Sequence, residues 1–140
     1  MTYIETQPHI GRRITAGFID YTIIYLFSFF IIILLGVPVP DGSYYELNGV
    51  PALTPIAFWL LMTVGIEITV GATIGNLLLG LKAIPMNGQY RKLTFVESFK
   101  RHLLDPVDMI FFGFVGIIVI KNTEKNQRIG DLWAKTIVIK

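Results

Sequence analysis

The chain has 140 residues, of which 53% are hydrophobic and only 16% are charged, and its formal net charge is +2. Soluble domains carry roughly 25% charged residues, so this composition predicts an integral membrane protein with a single domain over residues 1–140. The small net charge does not fit a nucleic-acid partner, and the absence of cysteine excludes a disulfide framework or a cysteine nucleophile.

Two apolar runs are long enough to cross a bilayer as helices. The first extends over residues 14–36 and has Asp20 as its only charged residue. The second extends over residues 52–70 and is interrupted only by Glu67. Because about 20 apolar residues span the hydrocarbon core, both runs are predicted to be spanning helices. A cleaved signal peptide is the weaker interpretation of the first run, which is too long and lacks a small-residue cleavage site.

Small residues follow the second run at Gly71, Thr73 and Gly75. The two glycines are four residues apart, a spacing that favours a helix end or a close contact between helices over direct binding of a ligand. The segment is not a phosphate-binding loop of the Walker type. Asn76 and Leu77 stand where that loop requires a lysine and a serine or threonine.

Residues 79–95 are predicted to form a small β element. Asn87-Gly88 lies between two short alternating runs, residues 79–84 and 89–95, and this arrangement is typical of a hairpin. An isolated hairpin is only marginally stable and needs a packing partner. The terminal run over residues 136–140 is also predicted to be a strand and is the candidate partner.

The third hydrophobic region, residues 103–120, is shorter than the other two. Asp105, Pro106 and Asp108 stand near its start and leave only residues 109–120 free of charge. A helix of that length rises about 18 Å, against a hydrocarbon core of roughly 30 Å. The region is therefore predicted either to span the membrane with a polar end or to re-enter on the side from which it came.

The distribution of lysine and arginine predicts the orientation. None of the 12 lies in the loop over residues 37–51, and all lie in the N-terminal segment, residues 71–102 or residues 121–140. The positive-inside rule then predicts a multi-pass protein of the plasma (inner) membrane, with a cytoplasmic N-terminus and the 37–51 loop outside. The basic tail favours a re-entrant third region. The predicted fold is an all-α integral membrane protein with two spanning helices, a third short spanning or re-entrant helix and a small cytoplasmic β element.

Charged residues inside apolar runs are candidates for function, because an ionisable group is costly in a membrane. Asp20 lies two helical turns after Arg13 on the same face, so the two side chains are predicted to pair. That pair is interpreted equally well as a structural ion pair or as a cation or proton site. Glu67 is predicted to extend toward the interface. Composition alone makes Asp131 a surface charge.

Asp105 and Asp108 are three residues apart on one helical face. Two neighbouring carboxylates would suit a proton-coupled site, but Asp105 followed by proline favours a helix N-cap. His9 and His102 are isolated and are predicted to be interfacial. Their spacing does not indicate a metal site.

Several blocks in order carry a resemblance to a known family. They are Arg13-x-x-Ala16-x-x-x-Asp20, Glu67-x-x-x-Gly71-x-Thr73-x-Gly75, Leu78-x-Gly80-Leu81-Lys82, Arg101-x-Leu-Leu with Asp108, and Gln127-Arg128-Ile-Gly130-Asp131. Over residues 11–140 the chain resembles the RDD family of prokaryotic membrane proteins, named for one arginine and two aspartates. The resemblance implies that these three are Arg13, Asp20 and Asp131. Ile74, Asn76 and Lys135 depart from the family's usual Pro, Lys and Gly, and the lost lysine weakens an anion-binding role for this turn.

The resemblance implies a role in transport of ligands that are not identified, or in cation/proton exchange. The predicted ion, ligand or structural polar network comprises Arg13, Asp20, Glu67, Arg101, Asp108 and Asp131, with Gly71, Thr73 and Gly75 as a turn or helix contact. No catalytic residue, metal or cofactor is predicted, and the chain is not expected to be an enzyme.

The expected partners are membrane lipid, a monovalent cation or proton, and a second copy or another membrane protein. A partner chain is expected because three short hydrophobic regions are too few to enclose a path. The alternative function is a non-transporting scaffold or assembly factor, in which the buried charges only determine how the helices pack.

Overall fold

Helices make up most of the fold. The computed structural model describes residues 6–140, and at residues 110–112 it describes the backbone alone. Two helices are long and apolar enough to cross a membrane. The first, α1, extends over Ile10–Leu35 and the second long helix over Val50–Val70. Both lie where the hydrophobic runs predicted them, each beginning a few residues earlier.

The second long helix changes its pitch along its length. Pro51 and Pro55 lie in its first turns, where a missing N–H is tolerated, and it ends at Gly71 with a left-handed φ of 101°. Its successive parts are a 3₁₀ turn (Val50–Leu53), α2 (Thr54–Leu60), a π-helical turn (Leu61–Gly65) and α3 (Ile66–Val70). The short helix α4 (Ile74–Leu78) follows and packs against α1.

The third hydrophobic region is strongly bent. It consists of α5 (Phe95–Leu103), α6 (Asp105–Asp108) and α7 (Ile110–Asn122). The segments Phe95–Asp108 and Gly113–Asn122 are inclined by 115°, so the region is a broken span or a re-entrant loop. A capping box of Thr94 and Glu97 begins α5, and Pro106 in the first turn of α6 separates the two helices.

The predicted hairpin between residues 79–84 and 89–95 is wrong. Strand β3 (Lys82–Pro85) pairs antiparallel with β4 (Thr136–Ile139) at the end of the chain, with Lys82 opposite Ile139. Asn87-Gly88 does form a turn, but the chain after it runs into α5 instead of back along β3. Both strands are largely buried, so the pairing shields apolar side chains that a surface hairpin would expose.

A second small sheet lies in the loop after α1 and was not predicted. Strand β1 (Val37–Pro38) pairs antiparallel with β2 (Tyr45–Glu46), and Gly42 takes a positive φ in the turn between them. This sheet lies at the C-terminal end of α1. Strand β3 comes after the second long helix, which runs back in the direction opposite to α1. The sheet of β3 and β4 therefore lies at the same end of the long helices as the N-terminus of α1.

Candidate functional site

Three charged side chains form a fully buried chain of ion pairs across three helices. Arg101 of α5 donates from Nε to Asp131 Oδ1 at 2.9 Å and from Nη1 to Glu67 Oε1 at 2.5 Å. All three residues are at most 1% exposed. Glu67 also accepts a hydrogen bond from Ser98 at 2.6 Å, so its predicted extension to the interface is wrong. One guanidinium thus joins α3, α5 and the helix α8 (Ile129–Ala134).

Three arginines surround Asp131. Besides Arg101, it lies 3.4 Å from Arg13 Nη1 and 3.7 Å from Arg128 Nε, and it accepts a hydrogen bond from the Arg128 backbone. Although burial raises the pKa of this carboxyl, the three guanidinium groups outweigh that effect and hold the pKa well below its usual range. Asp131 is therefore a buried and charged residue that connects α8 to other helices. Composition alone had predicted a surface charge.

The predicted pair between Arg13 and Asp20 is wrong. Arg13 contacts Asp131 of α8, 118 residues later in the chain. Both oxygens of Asp20 accept hydrogen bonds elsewhere, Oδ2 from Thr73 Oγ1 and Oδ1 from the Gly75 backbone, each at 2.7 Å. Two helical turns separate the two α1 residues by about 10 Å, and other elements supply closer partners to each.

A second group of polar contacts surrounds Asp105. Its Oδ2 accepts a hydrogen bond from Tyr21 at 2.8 Å and lies 2.8 Å from His102 Nδ1, while its Oδ1 lies 3.1 Å from Arg128 Nη1. His102 Nε2 lies 3.3 Å from Glu67. The expectations of an N-cap at Asp105 and an interfacial His102 are therefore wrong. We call Arg13, Glu67, Arg101, His102, Asp105, Arg128 and Asp131 the ion-pair cluster.

Asp20 docks a short helix onto α1. By accepting from Thr73 Oγ1 and Gly75 N, its carboxylate satisfies groups at the start of α4. The backbones approach so closely that a Cβ at Gly75 would overlap the backbone of Ala16. The small-residue segment is thus a helix end at Gly71, a cap at Thr73 and a helix contact at Gly75.

Asp108 docks α8 in the same manner. Its two oxygens accept hydrogen bonds from the Ile129 and Gly130 backbones at 3.1 and 3.2 Å. A Cβ at Gly130 would overlap the Arg101 carbonyl, so α8 lies directly on α5. Asp105 and Asp108 consequently have different surroundings. The first contacts cations and a tyrosine, and the second contacts backbone N–H groups.

A cavity of about 820 Å³ lies beside the ion-pair cluster. Ionisable groups of both signs line it, and part of its wall is apolar, with Phe18 and Tyr25 from α1. The acidic and basic lining residues are Arg13, Asp20, Arg101, His102, Asp105, Asp108 and Arg128. Within residues 6–140, no group of three or more histidine or acidic side chains could hold a metal ion.

Of the predicted network, the structure brings Arg13, Glu67, Arg101 and Asp131 into one connected set. Asp20 and Asp108 stand apart as docking points for α4 and α8. The sequence did not predict the contacts of Tyr21, His102 and Arg128, and it considered Asp105 as a helix N-cap or as a neighbour of Asp108. The signals in the sequence were the adjacency of Tyr21 to Asp20 and of His102 to Arg101, and the block Gln127-Arg128-Ile-Gly130-Asp131 for Arg128.

Apolar helices of spanning length, packed around buried ion pairs that join distant parts of the chain, define a small membrane protein with a polar interior. The chain belongs to the RDD family, whose sequence model matches residues 7–135. Searches of curated proteins and of solved structures gave no match.

Proposed function

We propose that this RDD-family membrane protein takes part in transport by handling ions, with protons exchanged at Asp20 and Asp108. The observation that carries the proposal is the cavity of about 820 Å³, which both carboxylates line. Its volume is in the range of ligand-binding pockets. Ionisable groups inside the membrane part of a protein commonly mark ion pathways and proton relays.

Asp20 and Asp108 differ from the other buried carboxylates in their partners. Glu67, Asp105 and Asp131 each form an ion pair with an arginine, which favours a permanent charge. The hydrogen bonds to Asp20 and Asp108 come instead from backbone N–H groups and a threonine hydroxyl. A proton could therefore join or leave either carboxylate without leaving an arginine unpaired.

Proton exchange is tested with purified protein in liposomes that enclose a pH-sensitive dye. An imposed sodium or potassium gradient is expected to change the internal pH, and Asp108→Asn is expected to reduce the rate to that of empty liposomes. Asp41→Asn is the matched control, since Asp41 is exposed in the 37–51 loop and is expected to leave the rate unchanged. A wild-type protein with no proton flux under either gradient would contradict the proposal.

A specific observation also supports a scaffold as the second candidate function. Asp20 and Asp108 each use both oxygens to hold the start of a short helix, which is a sufficient structural reason for their burial. In a scaffold, Asp20→Asn and Asp108→Asn would lower the stability of the fold while the reconstituted wild type moved no protons. The liposome experiment therefore separates the two candidates.

We further propose a plasma-membrane location and assembly with a second copy or another membrane protein. Few residues of either long helix are buried within the chain. Of the most apolar 18 residues of each helix, 11% are buried in α1 and 22% in the second long helix. This leaves apolar surface for lipid and for a neighbouring chain. The cytoplasmic placement of both termini rests on the lysines and arginines around the sheet of β3 and β4, together with their absence from the 37–51 loop.

Labelling of single cysteines tests this orientation, since the natural chain has no cysteine. Ser43→Cys, Asn87→Cys and Glu124→Cys replace exposed residues at the two ends of the long helices. On intact cells, an impermeant thiol reagent is expected to label only the variant at position 43, and permeabilised cells are expected to label all three. If position 124 is labelled in intact cells, the shared cytoplasmic side is wrong.

A further inference from the structure

We propose that the Arg13 end of the cavity binds the anionic headgroup of a membrane phospholipid. The inference goes beyond proton exchange, because it concerns a binding site at Arg13 and can be tested without any ion gradient. It rests on the incomplete hydrogen bonding of one buried guanidinium and on the apolar wall beside it.

Arg13 is the least satisfied arginine of the ion-pair cluster. Its side chain is 7% exposed, yet the one ion pair that it forms within the described part of the chain is with Asp131 at 3.4 Å, and Arg101 lies 2.9 Å from the same carboxylate. Among the described residues, Nε and Nη2 of Arg13 have no hydrogen-bond partner. Buried donors of a charged group are rarely left unpaired, because the loss of hydration is costly.

A phosphate is the chemical group that fits these donors. The planar guanidinium offers parallel N–H groups that match two oxygens of a phosphate. The carboxylates that also line the cavity, Asp20, Asp105 and Asp108, already accept hydrogen bonds from other residues. Among the described residues that line the cavity, Arg13 is therefore the arginine with two buried guanidinium nitrogens that have no partner and can donate to an incoming anion.

The surroundings of Arg13 favour a lipid over a soluble anion. Arg13 lies in the first turn of a 26-residue helix, which places it near the level of the headgroups if α1 spans the membrane. Ile14, Phe18 and Tyr25 continue the cavity wall along α1 and are 48%, 70% and 68% exposed. An acyl chain can lie along this wall, whereas a free phosphate would leave it uncovered.

Two pairs of variants isolate the site. Arg13→Lys keeps the charge but removes the planar guanidinium, and Arg12→Lys is the same change at an adjacent residue whose guanidinium contacts the Leu79 carbonyl. Gly17→Leu is expected to fill the cavity, since Gly17 lines it and, among the described side chains, a Cβ there meets the Met109 methyl at 3.8 Å. Gly11→Leu is its control, because Gly11 lies in the same helix and a Cβ there has no described atom within 4 Å. Replacing a helical glycine favours the helix, so the Gly17 variant is expected to fold.

The experiment titrates purified full-length protein in neutral detergent with phosphatidylglycerol, phosphatidylcholine and soluble glycerol phosphate. Bound lipid is measured by native mass spectrometry and by the shift of the thermal unfolding midpoint. Phosphatidylglycerol is expected to bind wild type, and its affinity is expected to fall about tenfold or more in Arg13→Lys and Gly17→Leu. Both control variants are expected to match wild type.

Three results would overturn the proposal. Equal binding of phosphatidylcholine would remove the requirement for an anionic headgroup. Equal binding of glycerol phosphate would make the ligand a soluble anion. Unchanged affinity in Arg13→Lys and Gly17→Leu would place the lipid elsewhere on the protein.

Discussion

Arg101→Leu is expected to lower the free energy of unfolding by about 3–5 kcal/mol, the usual cost of leaving buried charges without their partner. The loss is large because one guanidinium serves both Glu67 and Asp131, and neither carboxylate has access to water. Denaturant unfolding in detergent micelles measures the change. If the variant yields no folded protein, Arg101→Lys keeps the charge and is expected to fold with an intermediate loss.

Arg91→Leu is the matched control for this prediction. Arg91 also forms an ion pair, with Glu97 at 2.7 Å, but its side chain is 41% exposed. Exposed ion pairs contribute about 0–1 kcal/mol, so the control is expected to lose little. Similar losses in the two variants would mean that the buried ion pairs do not hold α3, α5 and α8 together.

Gly75→Ala is expected to destabilise the fold by about 1–3 kcal/mol or more, since overpacking of close contacts has costs of that order. The added methyl group would overlap the backbone of Ala16, which cannot rotate away as a flexible side chain can. Relief requires α4 to move off α1, and the hydrogen bonds between Asp20 and the start of α4 would then lengthen. The thermal unfolding midpoint in detergent measures the effect.

Gly11→Ala is the control, because no atom of the described residues 6–140 lies within 4 Å of a Cβ at that helical position. Alanine is favoured over glycine in a helix by about 1 kcal/mol, so this variant is expected to be neutral or slightly more stable. A Gly75→Ala protein as stable as Gly11→Ala would contradict the close contact between α1 and α4.

The sequence predicted the long helices well because their signal is local. A run of about 20 apolar residues permits few structures in a bilayer, and the observed helices cover both runs apart from Gly36. A strand was also predicted over residues 79–84, with residues 136–140 as the candidate partner, and the observed pairing of Lys82–Pro85 with Thr136–Ile139 confirms that partner. The error was the second hairpin strand over residues 89–95. A turn signal such as Asn87-Gly88 indicates that the chain reverses, but it does not determine whether a strand or a helix such as α5 follows.

The buried charges illustrate the same limit. Helical periodicity correctly placed Arg13 and Asp20 on one face, but a shared face does not determine which outside group reaches each side chain. Asp131 lies in a short helix of six residues, and its burial results from packing of α8 on α5, which no local pattern encodes. Only the resemblance to a family with a conserved second aspartate drew attention to it.

The pairing of Arg13 with Asp131 has a consequence for how the chain is made. The two residues are 118 positions apart, and synthesis adds about 5–20 residues per second, so Arg13 waits roughly 6–24 s for its carboxylate. Asp20 meets Thr73 and Gly75 earlier, after 53 and 55 residues. Until α8 has been synthesised, Arg13 lacks the carboxylate that it contacts in the folded protein, so the final position of α1 depends on a helix made much later.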